Sequence, residues 1–320
     1  MRFDRSGMDN SAKDLWPDGA RLALSLVVAL EEGTELSPLH GDRAPDPVDE
    51  FGVVVTKPIR NLPNESNYQY GLKAGAPRVL DLLSRHGVRA TFAATGMAIE
   101  RLPSLAQRII GDGHEICAHG WRWVHQYRMS ETEERAFIGQ TVAAIERTTG
   151  QRPTGWISRY LFTANTRRLL VEAGFRYHMD DYSDDVPFWD CTAGTPIVIL
   201  PYAIDSNDMK MWTAPSFTPQ DWLDYAVETF DVLYKEGADR PRMMSLGVHL
   251  RIIGRPGRIG YLEKFIQHAR RHPRVWIATR QDIAACWSRK NPAPSATASS
   301  EPCEEVNVPR RPSPPSRIEN

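Results

Sequence analysis

Five places along the chain carry side chains able to take up protons, polarise a carbonyl or hold a metal, and most of them follow an apolar run. Glu31 and Glu32 are adjacent carboxylates after the apolar segment Leu22–Leu30, with Glu35 in the same turn. Two carboxylates this close push their pKa values apart, which leaves one as a base for water. His119 ends the run Glu115-Ile116-Cys117-Ala118, and His125 follows after Trp121 and Trp123, where a loop can return it beside His119. Arg159 ends Trp156-Ile157-Ser158 and is suited to hold a carboxylate or a substrate oxygen. Asp180, Asp181, Asp184 and Asp185 lie close together at another strand end, where their mutual repulsion asks for Arg159, a metal, water or a polar substrate. His249 ends Ser245-Leu246-Gly247-Val248 and precedes a glycine-rich basic turn over residues 251–258, whose spacing matches no phosphate-binding loop.

Groups so far apart in sequence meet only if the elements between them alternate in a regular way. Strands are predicted over residues 21–30, 89–94, 115–118, 154–158, 197–200, 243–248 and 275–278 from short apolar or β-branched runs. Helices are predicted over residues 77–86, 103–110, 131–149 and 259–271, with others between Asn165 and Gly174, after Thr218-Pro219-Gln220-Asp221, and after Thr279. Ser130 with Glu133 reads as a capping box for the longest of them. Repeated strand–helix units imply right-handed crossovers and a largely parallel sheet, and their number favours a barrel over an open sheet. Glu31, His119, Arg159 and His249 then all lie just past the C-terminal ends of strands, the edge that carries chemistry in parallel α/β folds.

Composition excludes several classes. The 39 basic and 40 acidic residues give a net charge of −1, so nothing electrostatic draws the chain to nucleic acid. Its longest apolar run falls well short of the roughly 20 residues that span a bilayer, and the first ten residues lack a basic-then-apolar signal pattern, so a cytoplasmic protein with no membrane partner is expected. Four scattered cysteines, Cys117, Cys191, Cys286 and Cys303, form no C-x-x-C pair and read as reduced thiols. Residues 291–320 contain no Phe, Trp or Tyr and many prolines, which predicts a disordered Pro/Ser-rich tail behind a short arm (1–15) and one large domain (16–290).

Taken in order, five motifs resemble the polysaccharide deacetylase (NodB-homology) superfamily, and more closely its allantoinase-like and cyclic-imide-hydrolase-like branch. They are Glu31-Glu32-Gly33-Thr34-Glu35; Gly113-His114-Glu115-Ile116 through His119-Gly120-Trp121-Arg122-Trp123; Gly155-Trp156-Ile157-Ser158-Arg159-Tyr160 with Asn165-Thr166-Arg167; Asp181-Tyr182-Ser183-Asp184-Asp185-Val186-Pro187-Phe188; and His249 with Ile253-Gly254-Arg255-Pro256-Gly257-Arg258. The segment Pro201-Tyr202-Ala203-Ile204-Asp205-Ser206-Asn207-Asp208-Met209 is similar to a further stretch of that branch. The resemblance implies a distorted, incomplete (β/α) barrel that hydrolyses a carbon–nitrogen bond in a non-peptide amide.

The family's metal-dependent members use an Asp pair and two histidines four residues apart. Here Glu31 and Glu32 replace the pair, and Trp123, which has no lone pair for a metal, stands four residues after His119. A zinc ion held by Glu32, His119 and a displaced His125 is the metal site this sequence allows. The chemistry expected is opening of a small cyclic amide, imide or ureide. A carboxylate of Glu31/Glu32 activates water, Arg159, His119 or a metal steadies the oxyanion, and His249 protonates the departing nitrogen. Trp123, Tyr160, Asp184, Asp185 and Arg255 are the expected substrate-binding residues, and the resemblance implies a homo-oligomer. The alternatives are an N-acetyl-sugar deacetylase and a catalytically silent barrel that binds a small ligand.

Overall fold

An uncharged run of nine residues cannot face water on either side of a strand, and Leu22–Leu30 becomes the central strand β1, with every residue buried. The computed structural model describes residues 14–294 except Thr56 and Ala214. Most of the expected arm, and the expected tail beyond residue 294, lie outside the described residues. Eight more strands follow: β2 (Thr91–Ala94), β3 (Glu115–Ala118), β4 (Gly155–Trp156), β5 (Tyr177–His178), β6 (Phe188–Asp190), β7 (Ile197–Ile199), β8 (Arg242–His249) and β9 (Val275–Ile277). The sheet runs β6-β7-β5-β4-β3-β2-β1-β8, and every pairing is parallel except β6 with β7. β1 pairs with β8 from Leu22 to Ala29 on one side. On the other side its start pairs with β9 and its end with β2.

The result is a curled, incomplete barrel. Among the described residues no strand pairing joins edge strand β6 to edge strand β8. Irregular chain bridges the gap instead, with Met243 N donating to Asp185 O and Ala203 N to Ser245 Oγ, each at 2.8 Å. Side chains alternate across the sheet. Leu22, Leu24, Leu26, Val28 and Leu30 join Phe92, Leu246 and Val248 in the core beneath the outer helices. Ala23, Val27, Ala93, Cys117, Tyr177 and Met243 point inside the curl, where Leu15, Trp16 and Trp287 close the floor.

The helices are α1 (Leu62–Tyr70), α2 (Ala76–Arg85), α3 (Gly96–Arg101), α4 (Pro103–Gly111), α5 (Glu131–Thr149), α6 (Thr166–Glu172), α7 (Pro219–Glu236), α8 (Leu250–Ile253), α9 (Pro256–Arg271) and α10 (Arg280–Lys290). Reciprocal capping boxes open α5 at Ser130/Glu133 and α7 at Thr218/Asp221. Asn165 precedes α6 without capping it, and its side chain accepts from Arg168 instead. The helix expected over residues 77–86 is the second half of a longer one, in which a π-helical turn, Gly71–Gly75, joins α1 to α2. Among the described residues no helix is long and apolar enough to cross a membrane.

Candidate active site

Strand alternation carries Glu31, His119 and His249 to the same place. Each continues the inward-facing series of its strand: Ala23, Val27 and Ala29 lead to Glu31, Cys117 to His119, and Met243, Ser245 and Gly247 to His249. All three are buried. His119 Nε2 stands 3.3 Å from Glu31 Oε2, and His249 Nε2 lies 3.8 Å from Glu31 Oε1. Both imidazoles are fixed from behind. His119 Nδ1 donates to the Ile157 carbonyl at 2.9 Å, and His249 Nδ1 donates to Asp208 Oδ1 at 2.7 Å. In each ring Nε2 is therefore the atom turned toward Glu31.

A guanidinium from the glycine-rich basic turn over residues 251–258 sits at the centre of the charge network. Arg251, at the start of α8, is fully buried. Its Nη2 donates to Glu31 Oε1 at 2.6 Å, its Nε bonds Glu50, and its Nη1 stands 3.6 Å from Glu32 Oε1. The ring of Tyr68 lies 4.4 Å from its Cζ. Burial alone would raise the Glu31 pKa, but Arg251, the His119 hydrogen bond and the charge of His249 together hold it well below the usual carboxylate range. Glu32 goes the other way. Burial, reinforced by the negative charge of Glu31 and only partly opposed by Arg251, pushes it up to about 7. Its Oε2 accepts the Glu31 N–H at 3.1 Å, while its Oε1 has no hydrogen-bond partner.

His249 is held by a second group, from the segment over residues 201–209. Asp208 is buried and accepts from the backbone N–H of His249 at 2.9 Å and of Ile253 at 3.1 Å as well as from the ring. Burial lowers the His249 pKa, yet Asp208 and Glu31 outweigh it and the net direction is upward. Just below, position 247 must be glycine, since a Cβ there would stand 1.8 Å from the Tyr202 hydroxyl and 2.7 Å from Asn207 Nδ2. Tyr202 and Asn207, bonded to each other at 2.9 Å, thus pack against Gly247, two residues before His249.

The other expected site residues divide. Trp123 is at the rim, its ring stacked on Arg159 at 3.6 Å and 5.6 Å from the Arg251 guanidinium. Arg159 bonds Asp46 Oδ1 and the Trp123 carbonyl, each at 2.9 Å, so it fixes the rim rather than meeting the acids over 180–185. His125 does not return to His119. It is exposed, with Nδ1 donating to the Arg159 carbonyl at 2.7 Å. Tyr160 is 61% exposed and stacks on Tyr182. Asp184 and Asp185 are corrected to the opposite end of the barrel, because the Asp185 carbonyl meets Met243, six residues and about 20 Å of strand before His249. Arg255 ties α1 to the start of α9, donating to Asn67 Oδ1 at 2.7 Å over the Tyr70 ring.

A carboxylate between two oriented imidazoles, at the C-terminal rim of a curled parallel sheet, defines a hydrolytic α/β barrel. The polysaccharide deacetylase family model matches residues 66–178. A putative polysaccharide deacetylase of Schizosaccharomyces pombe is 35% identical over 87% of this chain and 93% of its own. Among solved structures, a probable polysaccharide deacetylase from Pseudomonas aeruginosa PAO1 is 42% identical, with TM-score 0.83 over 87% of this chain and 95% of the other. PuuE allantoinase is 37% identical, with TM-score 0.84 over 92% of this chain and all of the other (100%). The chain belongs to the polysaccharide deacetylase family, and it is a hydrolase of carbon–nitrogen bonds other than peptide bonds.

Members of this family generally use a divalent metal, which needs at least three converging donors. Glu31 Oε2 and His119 Nε2 face each other, but among the described residues no third carboxylate, imidazole or thiol brings a ligand atom within 4.8 Å of both. Glu32, His119 and His125 do not converge. The positive charge amid Glu31, Glu32 and Glu50 is already supplied by Arg251. These residues do not make the three-ligand site that a catalytic zinc requires.

Proposed function

We propose that this protein opens a small cyclic amide or ureide by hydrolysis. The observation that carries the reading is the burial of the whole cluster: Glu31, Glu32, His119 and His249 are each no more than 8% exposed, beneath Trp123 and the segment bearing Glu50. Groups buried this deeply are out of reach of a polysaccharide, which needs an open groove, and that favours a small ring as substrate. The likeness to PuuE allantoinase along its whole length supports the same substrate class.

The two carboxylates divide the work. Glu31, kept ionised by Arg251, holds the imidazoles in place. Glu32, with a pKa near 7 and an Oε1 that accepts no hydrogen bond, takes the proton of the attacking water. Negative charge that develops on the carbonyl oxygen needs an N–H donor, which His119 Nε2 is only as the imidazolium because Nδ1 already donates to the Ile157 carbonyl, and His249, whose pKa is raised, gives its Nε2 proton to the leaving nitrogen.

The test is a substrate panel with pH profiles. Ring opening of allantoin, dihydrouracil, hydantoin and succinimide is measured against acetate release from chitooligosaccharides, and turnover of the cyclic set alone is expected. Because Glu32 acts as base only when ionised, kcat/KM rises as pH passes through about 7. Glu32→Gln should lower kcat by about 10²-fold or more and remove that rise. A variant that keeps the rise places the base elsewhere, and acetate release as the main activity overturns the substrate class.

A further inference from the structure

A second cluster of potential ligands lies outside the barrel, where α7 packs against α9. Asp231 projects from α7, while His268 in the last turn of α9 and His272 at its end are one helical turn apart. Asp231 Oδ1 is 2.7 Å from His268 Nε2 and 3.9 Å from His272 Nε2, and the three ligand atoms all lie within 4.8 Å of one another. No other three His, Cys, Asp or Glu side chains among the described residues meet in this way.

The imidazole of His272 is already oriented as a metal ligand would be. Its Nδ1 donates to the His268 carbonyl at 3.0 Å, so in the neutral ring Nε2 carries a lone pair, and that lone pair faces a carboxylate oxygen. Asp231 Oδ1 accepts from His268 Nε2 at 2.7 Å, so a metal ion would take the place of that proton and gain the His272 lone pair as a further ligand. The rings are also held in place: Phe230 presents itself edge-on to His268 and His272 at 5.4 and 5.1 Å, and Tyr234 contacts His272 at 4.9 Å. Tetrahedral zinc, with bonds of about 2.0–2.1 Å, places neighbouring ligand atoms roughly 3.3 Å apart. The present 2.7 and 3.9 Å straddle that spacing, so small side-chain rotations close the site.

We propose that Asp231, His268 and His272 form a surface site for a divalent transition-metal ion of the zinc class, which staples α7 to the end of α9. Two imidazoles and one carboxylate suit zinc and its neighbours rather than magnesium or calcium, which favour oxygen ligands. Two neutral rings and one carboxylate leave a bound dication with one net positive charge and an open position for water. The cluster shares no residue with the Glu31–His119–His249 centre, so the metal acts on stability and not on turnover.

The test uses the full chain without an affinity tag. Zinc chloride is titrated by calorimetry into wild type, His268→Gln, His272→Gln and His119→Gln, with magnesium and calcium chloride as controls. Wild type should bind one zinc at this site and gain about 3 °C or more in Tm at saturation. His268→Gln and His272→Gln should each weaken binding by at least about tenfold and lose that gain while keeping wild-type turnover. His119→Gln should still bind. No zinc binding by wild type, binding that survives in the His268 and His272 variants, or equal binding of magnesium overturns the proposal.

Discussion

At the scale of single residues, the site is a problem in keeping buried charges apart. Three carboxylates, Glu31, Glu32 and Glu50, share the one guanidinium of Arg251, and burial, reinforced by the charge of Glu31 and only partly opposed by Arg251, raises the pKa of Glu32. Asp208 performs the corresponding task for His249. It is a positioning residue, bonded to the ring nitrogen that faces away from Glu31. Asp208→Asn keeps the shape but removes the charge, and it can offer its amide N–H where the ring needs an acceptor, which turns the wrong nitrogen toward the substrate. We expect kcat to fall by about 10²–10⁴-fold with little change in KM. Burial already lowers the His249 pKa and Asp208 is the main group that raises it, so the acid form is lost at lower pH in the variant. The alkaline limb of the rate profile should therefore move down, and an unmoved limb would show that His249 is not the acid. A chelator provides a separate check. With Arg251 in the place of a cation, exhaustive dialysis against one should leave kcat unchanged, and turnover that is lost and then restored by zinc would contradict this account.

At the scale of elements, the π-helical turn between α1 and α2 lets a helix backbone come up against the buried carboxylates of the candidate site. Two glycines make the approach in different ways. A Cβ on Gly75 would stand 2.1 Å from the Leu250 carbonyl oxygen, a rigid backbone atom next to the residue that carries the guanidinium. A Cβ on Gly71 would stand 2.5 Å from Glu32 Oε1, the end of a side chain that can move. In open space either Gly→Ala change would stabilise a helix by up to about 1 kcal/mol. Here Gly75→Ala should destabilise by about 1–3 kcal/mol through overpacking against α8. Gly71→Ala should cost less in Tm but lower kcat/KM through displacement of Glu32. Melting curves and kcat/KM for the pair check this contrast, and a Gly71→Ala enzyme with normal turnover would separate Glu32 from the chemistry. None of this was legible in the sequence, because α1, Leu-Pro-Asn-Glu-Ser-Asn-Tyr-Gln-Tyr, has no apolar stripe and is helical through its Asn61 cap and its packing. β1, β8, α5 and α7 were legible, since uninterrupted apolar runs and capping boxes are local signals. Arg251 and Asp208 were not assigned, since their partners lie up to 220 residues away, and Asp184 and Asp185 were misplaced because the chain after β5 runs to the far end of the barrel.

At the scale of the whole molecule, the buried acids of the rim set how stability depends on pH. Glu35, beside the pair, is buried with Oε2 unpartnered, and burial pushes its pKa to about 7 despite hydrogen bonds to its own backbone and Gly33 and the pull of Arg251. Glu32 shares that direction and value. A carboxyl whose folded pKa lies above its unfolded value binds its proton more tightly in the native state. Its contribution to stability is therefore complete below the unfolded value of 4.5 and is lost as pH rises through about 7. Two such groups should make the wild-type protein less resistant to urea at pH 8 than at pH 5.5, to the extent that other groups do not compensate. Glu35→Gln removes one of them by keeping a neutral side chain of the same shape at every pH. The variant should equal wild type near pH 4.5 and exceed it by on the order of 2–3 kcal/mol at pH 8, because a shift of this size carries about 1.4 kcal/mol per unit. Urea midpoints at the two pH values decide the matter. A variant no more stable than wild type at pH 8 would mean that Glu35 is ionised and satisfied in the native protein, and the account of the rim as a set of buried carboxyls that resist ionisation would fail with it.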